Sequence, residues 1–187
     1  MPNSSVGPDS ERDTDTESGD GAVATGGTYT LLIRVPAAVT VDVGALGSHA
    51  LSAGAYAYTG SALGAGGFSR VDRHRRVARG DHDVRHWHID YLLGHPDTDL
   101  DRVVRSVGVD IECPVARRLP TGPIGGFGAS DCDCTDHLAA GATLDGVASR
   151  VLEAHETAAR RGDDDSVSDA VALDVAAGAG GSGSAGR

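Results

Sequence analysis

Apolar side chains recur at every second position of GTYTLLIRV, residues 27–35. Tyr29, Leu31, Ile33 and Val35 fall on one face, and Thr28, Thr30 and Arg34 on the other. That alternation predicts a half-buried strand. VTVDV (39–43) repeats the pattern briefly and ends at a glycine, which predicts a short edge strand. In GAYAYTGSAL (54–63) a third strand covers 55–60, with Tyr56 and Tyr58 side by side on one face. Gly60 is placed to let the backbone turn away from the sheet. From residue 66 the period lengthens. GGFSRVDRHRRVA (66–78) sets Phe68, Val71, His74, Arg75 and Ala78 along one side of a helix. HWHIDYLL (86–93) is a second helical or turn segment, and LDRVVRSVGV (100–109) is a β-branched strand. Asp110 is a candidate cap for a short helix running to Leu119, with Pro114 in the first turn where its missing N–H is tolerated. A glycine-rich loop at 122–128 leads into SDCDCTDHL, and TLDGVASRVLEAHETAARR (143–161) is the last helix. Strands separated by helices predict a small α/β (α+β) domain.

The periodicity stops at both ends. Residues 1–26 are rich in Ser, Asp, Thr and Gly and read as a disordered acidic tail, while 162–187 pass from an acidic run into GAGGSGSAG, a flexible tail. The folded unit is therefore expected at 27–161, and removal of both tails is expected to leave it intact. Most of the net charge of -11 lies in these ends: residues 1–26 carry six acids against one arginine, and residues 151–187 seven acids against three. Every basic side chain is arginine, and the abundance of Asp suggests a high-salt, halophilic cytoplasm. There the charge of the whole molecule is screened within about 3 Å at molar salt, so an acidic chain is not excluded from nucleic acid. No apolar run reaches membrane-spanning length, so no membrane partner is expected. The three cysteines are an odd number, which fits a reducing cytoplasm better than a disulfide framework.

Cys132, Cys134 and His137 form C-x-C-x-x-H, and Cys113 completes a candidate Cys₃His zinc site. The C-x-C pair is tighter than the usual spacing in structural zinc, and the competing reading is a set of buried thiols packing the last loop. Arg73, Arg75, Arg76 and Arg79 are either phosphate contacts or a solvated helix face. His86 and His88 flank the only tryptophan, and substrate or structural hydrogen bonds are the favoured role for them.

GTY at 27–29, YTG at 58–60, the SA that follows and the arginine helix SRVDRH (69–74) together resemble the GIY-YIG nuclease superfamily. Thr28 and Thr59 stand where its motifs carry isoleucine, and β-branching is kept. The likeness runs from about residue 27 to 140. With HWHIDYLL, the Glu112–Cys113 pair and GFGASDCDC-xx-HL it is closest to an uncharacterised branch sometimes fused to endonuclease III. The resemblance implies a small, mostly antiparallel three-stranded sheet flanked by helices. It also implies a DNA endonuclease with Tyr29, Tyr58, Arg70 and Glu112 as catalytic residues, Tyr29 being the general base. Glu112 would hold Mg²⁺ (or Mn²⁺), and Gly60, Ser61, Arg73, His74 and Arg76 would contact substrate.

The chemistry is consistent with those residue types. A hard cation needs few protein carboxylates, a guanidinium fork matches phosphate, and a nearby cation lowers a phenol's pKa towards use as a base. The implied partners are DNA and, through the fusion habit, a repair protein. Two rival readings from other classes are a non-catalytic nucleic-acid-binding module on the same scaffold and a zinc-stapled interaction protein.

Overall fold

The computed structural model describes residues 26–160 and 171–175. Five strands form one sheet: β1 (Gly27–Val35), β4 (Gly54–Ser61), β5 (Asp99–Val107), β6 (Leu138–Gly141) and β7 (Val171–Val175), in the order β6-β4-β1-β5-β7 with every neighbouring pair antiparallel. β2 (Val39–Asp42) and β3 (Ser48–Leu51) make a separate two-stranded ribbon. The helices are α1 (Ser69–Ala78), α2 (His88–Leu93), α3 (Glu112–Ala116) and α4 (Leu144–Ala159). Among the described residues no helix is long and apolar enough to cross a membrane.

The α+β class agrees with the sequence, but the sheet is larger than the expected three strands. β3 and β6 are four residues each, too short to show a period, and SHAL and LAAG carry no alternation. β7 falls inside the stretch expected to be a flexible tail; it lines the outer edge of β5, so a truncation at 163 removes a strand of the sheet. The rest of that tail, and the acidic residues 1–25, lie outside the described residues. VTVDV pairs with β3 rather than with the sheet edge. α2 begins at His88, and α3 follows Ile111 rather than a cap at Asp110 and ends at Ala116.

β1 is buried on both faces, not one. On one side Tyr29, Leu31, Ile33 and Val35 pack with Tyr56 and Tyr58 of β4 and with Val71, Val77, Ile89 and Phe127 of the α1–α2 layer and its loops. On the other, Leu32, Ala55, Ala57, Val104 and Ala139 receive Val147, Ala148 and Val151 of α4. α4 starts where Thr143 accepts the N–H of Gly146 (3.2 Å), with Asp145 in its first turn to complement the helix dipole.

Apart from the exposed Arg34, the polar face of β1 is therefore dry, and its hydroxyls are satisfied internally. The Thr30 hydroxyl lies 2.9 Å from that of Thr59 and 2.8 Å from His155 Nε2, and His155 Nδ1 lies 2.8 Å from the Ser106 hydroxyl. Burial holds His155 down at about 4, so its neutral form is the one the fold accommodates. The folded pKa is below the ordinary value of about 6.5, so the unfolded chain takes the proton first. Stability is complete above about pH 6.5 and is lost as pH falls towards 4, by on the order of 3 kcal/mol from this group. Urea midpoints measured from pH 7 to 4.5 are expected to drop steeply in the wild type. The slope should be shallower in His155→Gln, and equal slopes would assign the acid sensitivity elsewhere.

Candidate active site and metal centre

Tyr29 stands opposite Gly60 across the β1–β4 pair, and its ring lies over that glycine. A Cβ at Gly60 would sit 2.6 Å from the Tyr29 hydroxyl oxygen, so the residue is glycine to admit the ring. It does not turn the strand as expected, because β4 continues through Ser61. Tyr58 lies beside Tyr29, ring centroids 6.5 Å apart, with its edge towards Phe127 at 5.9 Å. Gly128, at φ 72°, approaches so closely that a Cβ would sit 2.7 Å from the Tyr58 ring. Its N–H donates to His88 Nδ1 (3.1 Å), which places the proton of a neutral His88 ring on Nε2. Tyr56 is packing: its hydroxyl donates to the Ser52 carbonyl (2.8 Å).

The arginine helix is held to α2 by one buried carboxylate. Asp90 accepts both arms of Arg73 (2.9 and 2.8 Å) and the backbone N–H groups of His86 (2.8 Å) and Trp87 (3.1 Å), and His74 Nδ1 is 3.3 Å from it. Burial alone would raise the Asp90 pKa, but these donors together hold it well below the usual carboxylate range. His74 in turn places Nε2 2.9 Å from the Tyr29 hydroxyl. Arg73 and His74, expected at the substrate, are thus internal: a bidentate ion pair occupies one and the core encloses the other. Arg76 stays on the exposed face of α1.

Tyr29, the expected general base, is enclosed in the core. It is 1% exposed and absent from the pocket wall. Burial, then the neighbouring Tyr58, raises its pKa well above 10, and the lowering pull of Arg70 does not offset them. Burial raises Tyr58 in the same way. Without a cation in contact, both phenols are held protonated.

Glu112 opens α3, and three contacts fix its place. The Thr28 hydroxyl donates to the Val109 carbonyl (3.0 Å) and accepts the Ile111 N–H (2.9 Å), tying the residue before Glu112 to β1. Glu112 Oε1 is 3.1 Å from His137 Nδ1. His137 itself is pinned by backbone bonds, its N–H to the Phe127 carbonyl (2.7 Å) and its carbonyl from the Thr59 N–H (3.0 Å). Thr28 thus has a task that isoleucine at this position could not perform.

Cys113, Cys132, Cys134 and His137 offer four ligand atoms within 4.8 Å of one another, a group that could hold a metal ion. Tetrahedral zinc bonds of about 2.3 Å to sulfur imply S···S separations of about 3.8 Å and S···N of about 3.5 Å. Cys132 Sγ lies 3.4 Å from His137 Nε2, already at that separation, and the other ligand pairs lie within 4.8 Å. C-x-C is short for a ligand pair, and α3 and the start of β6 supply the other two ligands from either side. Crowding among the thiols shows in their acidity. Burial, then the other two sulfurs, pushes Cys113 up to about 12. Cys134 is lowered although burial opposes it, by hydrogen bonds from His137 and both other cysteines.

A pocket of about 250 Å³ opens between these parts, with Tyr58, Ser61, Arg70, His86, Trp87, His88, Glu112 and Asp131 among its lining residues. Arg70 donates from one arm to the Ser61 carbonyl (2.7 Å) and lies 4.9 Å from the Trp87 ring centroid, with Arg73 at 4.5 Å from the same ring. Of the expected site residues, Tyr58, Ser61, Arg70 and Glu112 share this wall. Tyr29, Gly60, Arg73 and His74 stand behind it, and the metal-ligand group adjoins it through His137. Sequence reasoning gave His86 and His88 a substrate or structural hydrogen bond from their place beside the sole tryptophan, and it left out Trp87 and Asp131 as wall residues.

The sequence family described as "Domain of unknown function DUF123" matches residues 28–160. No curated protein and no solved structure matches the chain.

Proposed function

The chain belongs to that family, and we propose that it is a divalent-cation-dependent endonuclease hydrolysing DNA phosphodiester bonds. The observation that carries this reading is the meeting of Tyr58, Arg70 and Glu112, from three separate elements, on the wall of one pocket. They are residues that the resemblance to GIY-YIG nucleases singles out. Arg70 has one arm on a backbone carbonyl and its ring-stacked guanidinium towards the pocket, which presents a planar donor face to a phosphate. Glu112 supplies the carboxylate for a hard cation, which would neutralise charge on the phosphate and the leaving oxygen. Tyr29 is enclosed behind the wall, so proton transfer is assigned to side chains that line the pocket, where the imidazoles of His86 and His88 face the same space as Arg70 and Glu112. Tyr58 then orients water or phosphate through its hydroxyl.

In the adjoining group, three thiols and an imidazole select zinc over magnesium. The three free cysteines fit a reducing cytoplasm. The fusion habit of the resembling branch points to DNA repair as the setting.

The test is incubation of the full chain with branched, nicked and duplex DNA, with Mg²⁺ or with chelator, at low and high potassium. Cleavage with Mg²⁺ alone is expected on at least one substrate. Binding without cleavage on every substrate would replace the nuclease with a nucleic-acid-binding module.

A further inference from the structure

The metal-ligand group and the pocket share one residue pair. His137 turns Nε2 towards the cysteine sulfurs, 3.4 Å from Cys132, and Nδ1 towards Glu112 Oε1, 3.1 Å away. We propose that the soft-metal site is a strut for the pocket's cation site: a zinc ion bound by Cys113, Cys132, Cys134 and His137 fixes the imidazole, and the imidazole N–H fixes the carboxylate of Glu112. His137 is then a positioning residue, and zinc occupancy sets the pocket's affinity for a hard cation. The inference rests on the proposed cation role of Glu112 and deepens it.

Three features carry it. First, a metal-bound histidine ordinarily donates its other N–H to a carboxylate, which orients the ring and strengthens it as a ligand. Here that carboxylate is on the wall of the candidate active site. Second, the bond uses one oxygen of Glu112 and leaves the other for the pocket. Third, three thiolates around one Zn²⁺ leave the loaded group with a net negative charge, so it does not repel a second cation nearby. Cys113 directly follows Glu112 on α3, so the same ion also pins the backbone that carries the carboxylate.

The coupling is reciprocal, because a change in one affinity must appear equally in the other. Zinc-loaded full chain, one equivalent per chain, is challenged with a zinc-selective chelator with and without saturating Mn²⁺. Mn²⁺ is expected to strengthen zinc retention about tenfold or more, within the range found for partners of metal-bound histidines. Mn²⁺ binding itself is read from quenching of Trp87, the only tryptophan and a wall residue of the pocket. His137→Cys keeps a soft fourth ligand but has no N–H for Glu112. Its zinc-loaded form should bind Mn²⁺ about tenfold more weakly than the wild type.

Equal zinc retention with and without Mn²⁺ overturns the strut, as does failure of the wild type to hold stoichiometric zinc. Should His137→Cys lose its zinc, the wild-type comparison still decides. The two readings fail differently. Quenching without coupling removes the strut alone, absence of any Mn²⁺ quenching removes the cation-dependent nuclease, and coupling without DNA cleavage removes only the nuclease.

Discussion

Glu112→Gln is expected to lower DNA cleavage about a thousandfold or more while leaving DNA affinity unchanged or slightly higher. Glutamine has the size of the native side chain, and its carbonyl oxygen can still accept the His137 N–H now 3.1 Å from Oε1. The contact to the neighbouring metal-ligand group is therefore kept, and only the negative charge is lost. That charge is what would hold a hard cation, whose help to the phosphate and leaving oxygen is worth several kcal/mol, or about three powers of ten in rate. Affinity moves the other way because an acid facing phosphate has been removed. The measurement is single-turnover cleavage in Mg²⁺ beside a binding titration in Ca²⁺ or chelator. A variant that cuts at the wild-type rate in nuclease-free preparations ends the glutamate mechanism. One that loses binding and cleavage together has lost the fold of the pocket instead. His137→Cys is the complementary change, since it keeps the charge and removes the contact.

Much of the site could be read in the chain because its residues sit at fixed points on regular elements. Tyr58 and Ser61 are on a strand, Arg70 is in the first turn of a helix, and Glu112 begins another. Their spacing along the sequence is set by those elements. What failed to show was every property decided by the third dimension. Thr28 and Thr30 alternate with apolar residues as solvent-facing positions do, yet both are fully buried, and their hydroxyls serve Ile111 and His155. Arg73 and His74 look like part of a basic face until Asp90, on the next helix, claims them. The burial that silences Tyr29 comes from the layer formed by α1 and α2, and no local pattern reports it. The metal-ligand group was legible in full as a set of residue types: C-x-C-x-x-H lies in one loop, and Cys113, the one remaining cysteine, was expected to complete it and does lie with the other three.

Asp90→Asn is expected to be the most destabilising single exchange in this region, by about 3–5 kcal/mol. Asp90 is fully buried and receives two arms of Arg73, two backbone N–H groups and the approach of His74. An amide nitrogen in place of one oxygen would point a donor at donors. The Arg73 guanidinium, only 13% exposed, would keep its charge with no counter-charge beside it. The same carboxylate caps the start of α2, so His86, Trp87 and His88 on the pocket wall would loosen together.

The pH dependence has a fixed sign. The folded pKa of Asp90 is depressed below the ordinary value of about 3.9, so its contribution is fully present above that value and is lost progressively as pH falls from there towards and through the folded one. At neutral pH the wild type therefore has the full benefit and the asparagine variant none, and the gap between them should narrow on acidification below about pH 4. Chemical denaturation at pH 7 and at pH 3 measures both terms. Emission from Trp87, the one tryptophan, with two guanidiniums within 5.0 Å of its ring, reports the local change. The expected result is a lower midpoint at pH 7 with a red-shifted, more solvent-exposed emission even before unfolding. An unchanged midpoint and spectrum would mean that Arg73 and the α2 cap find other partners, and that Asp90 does not organise the pocket.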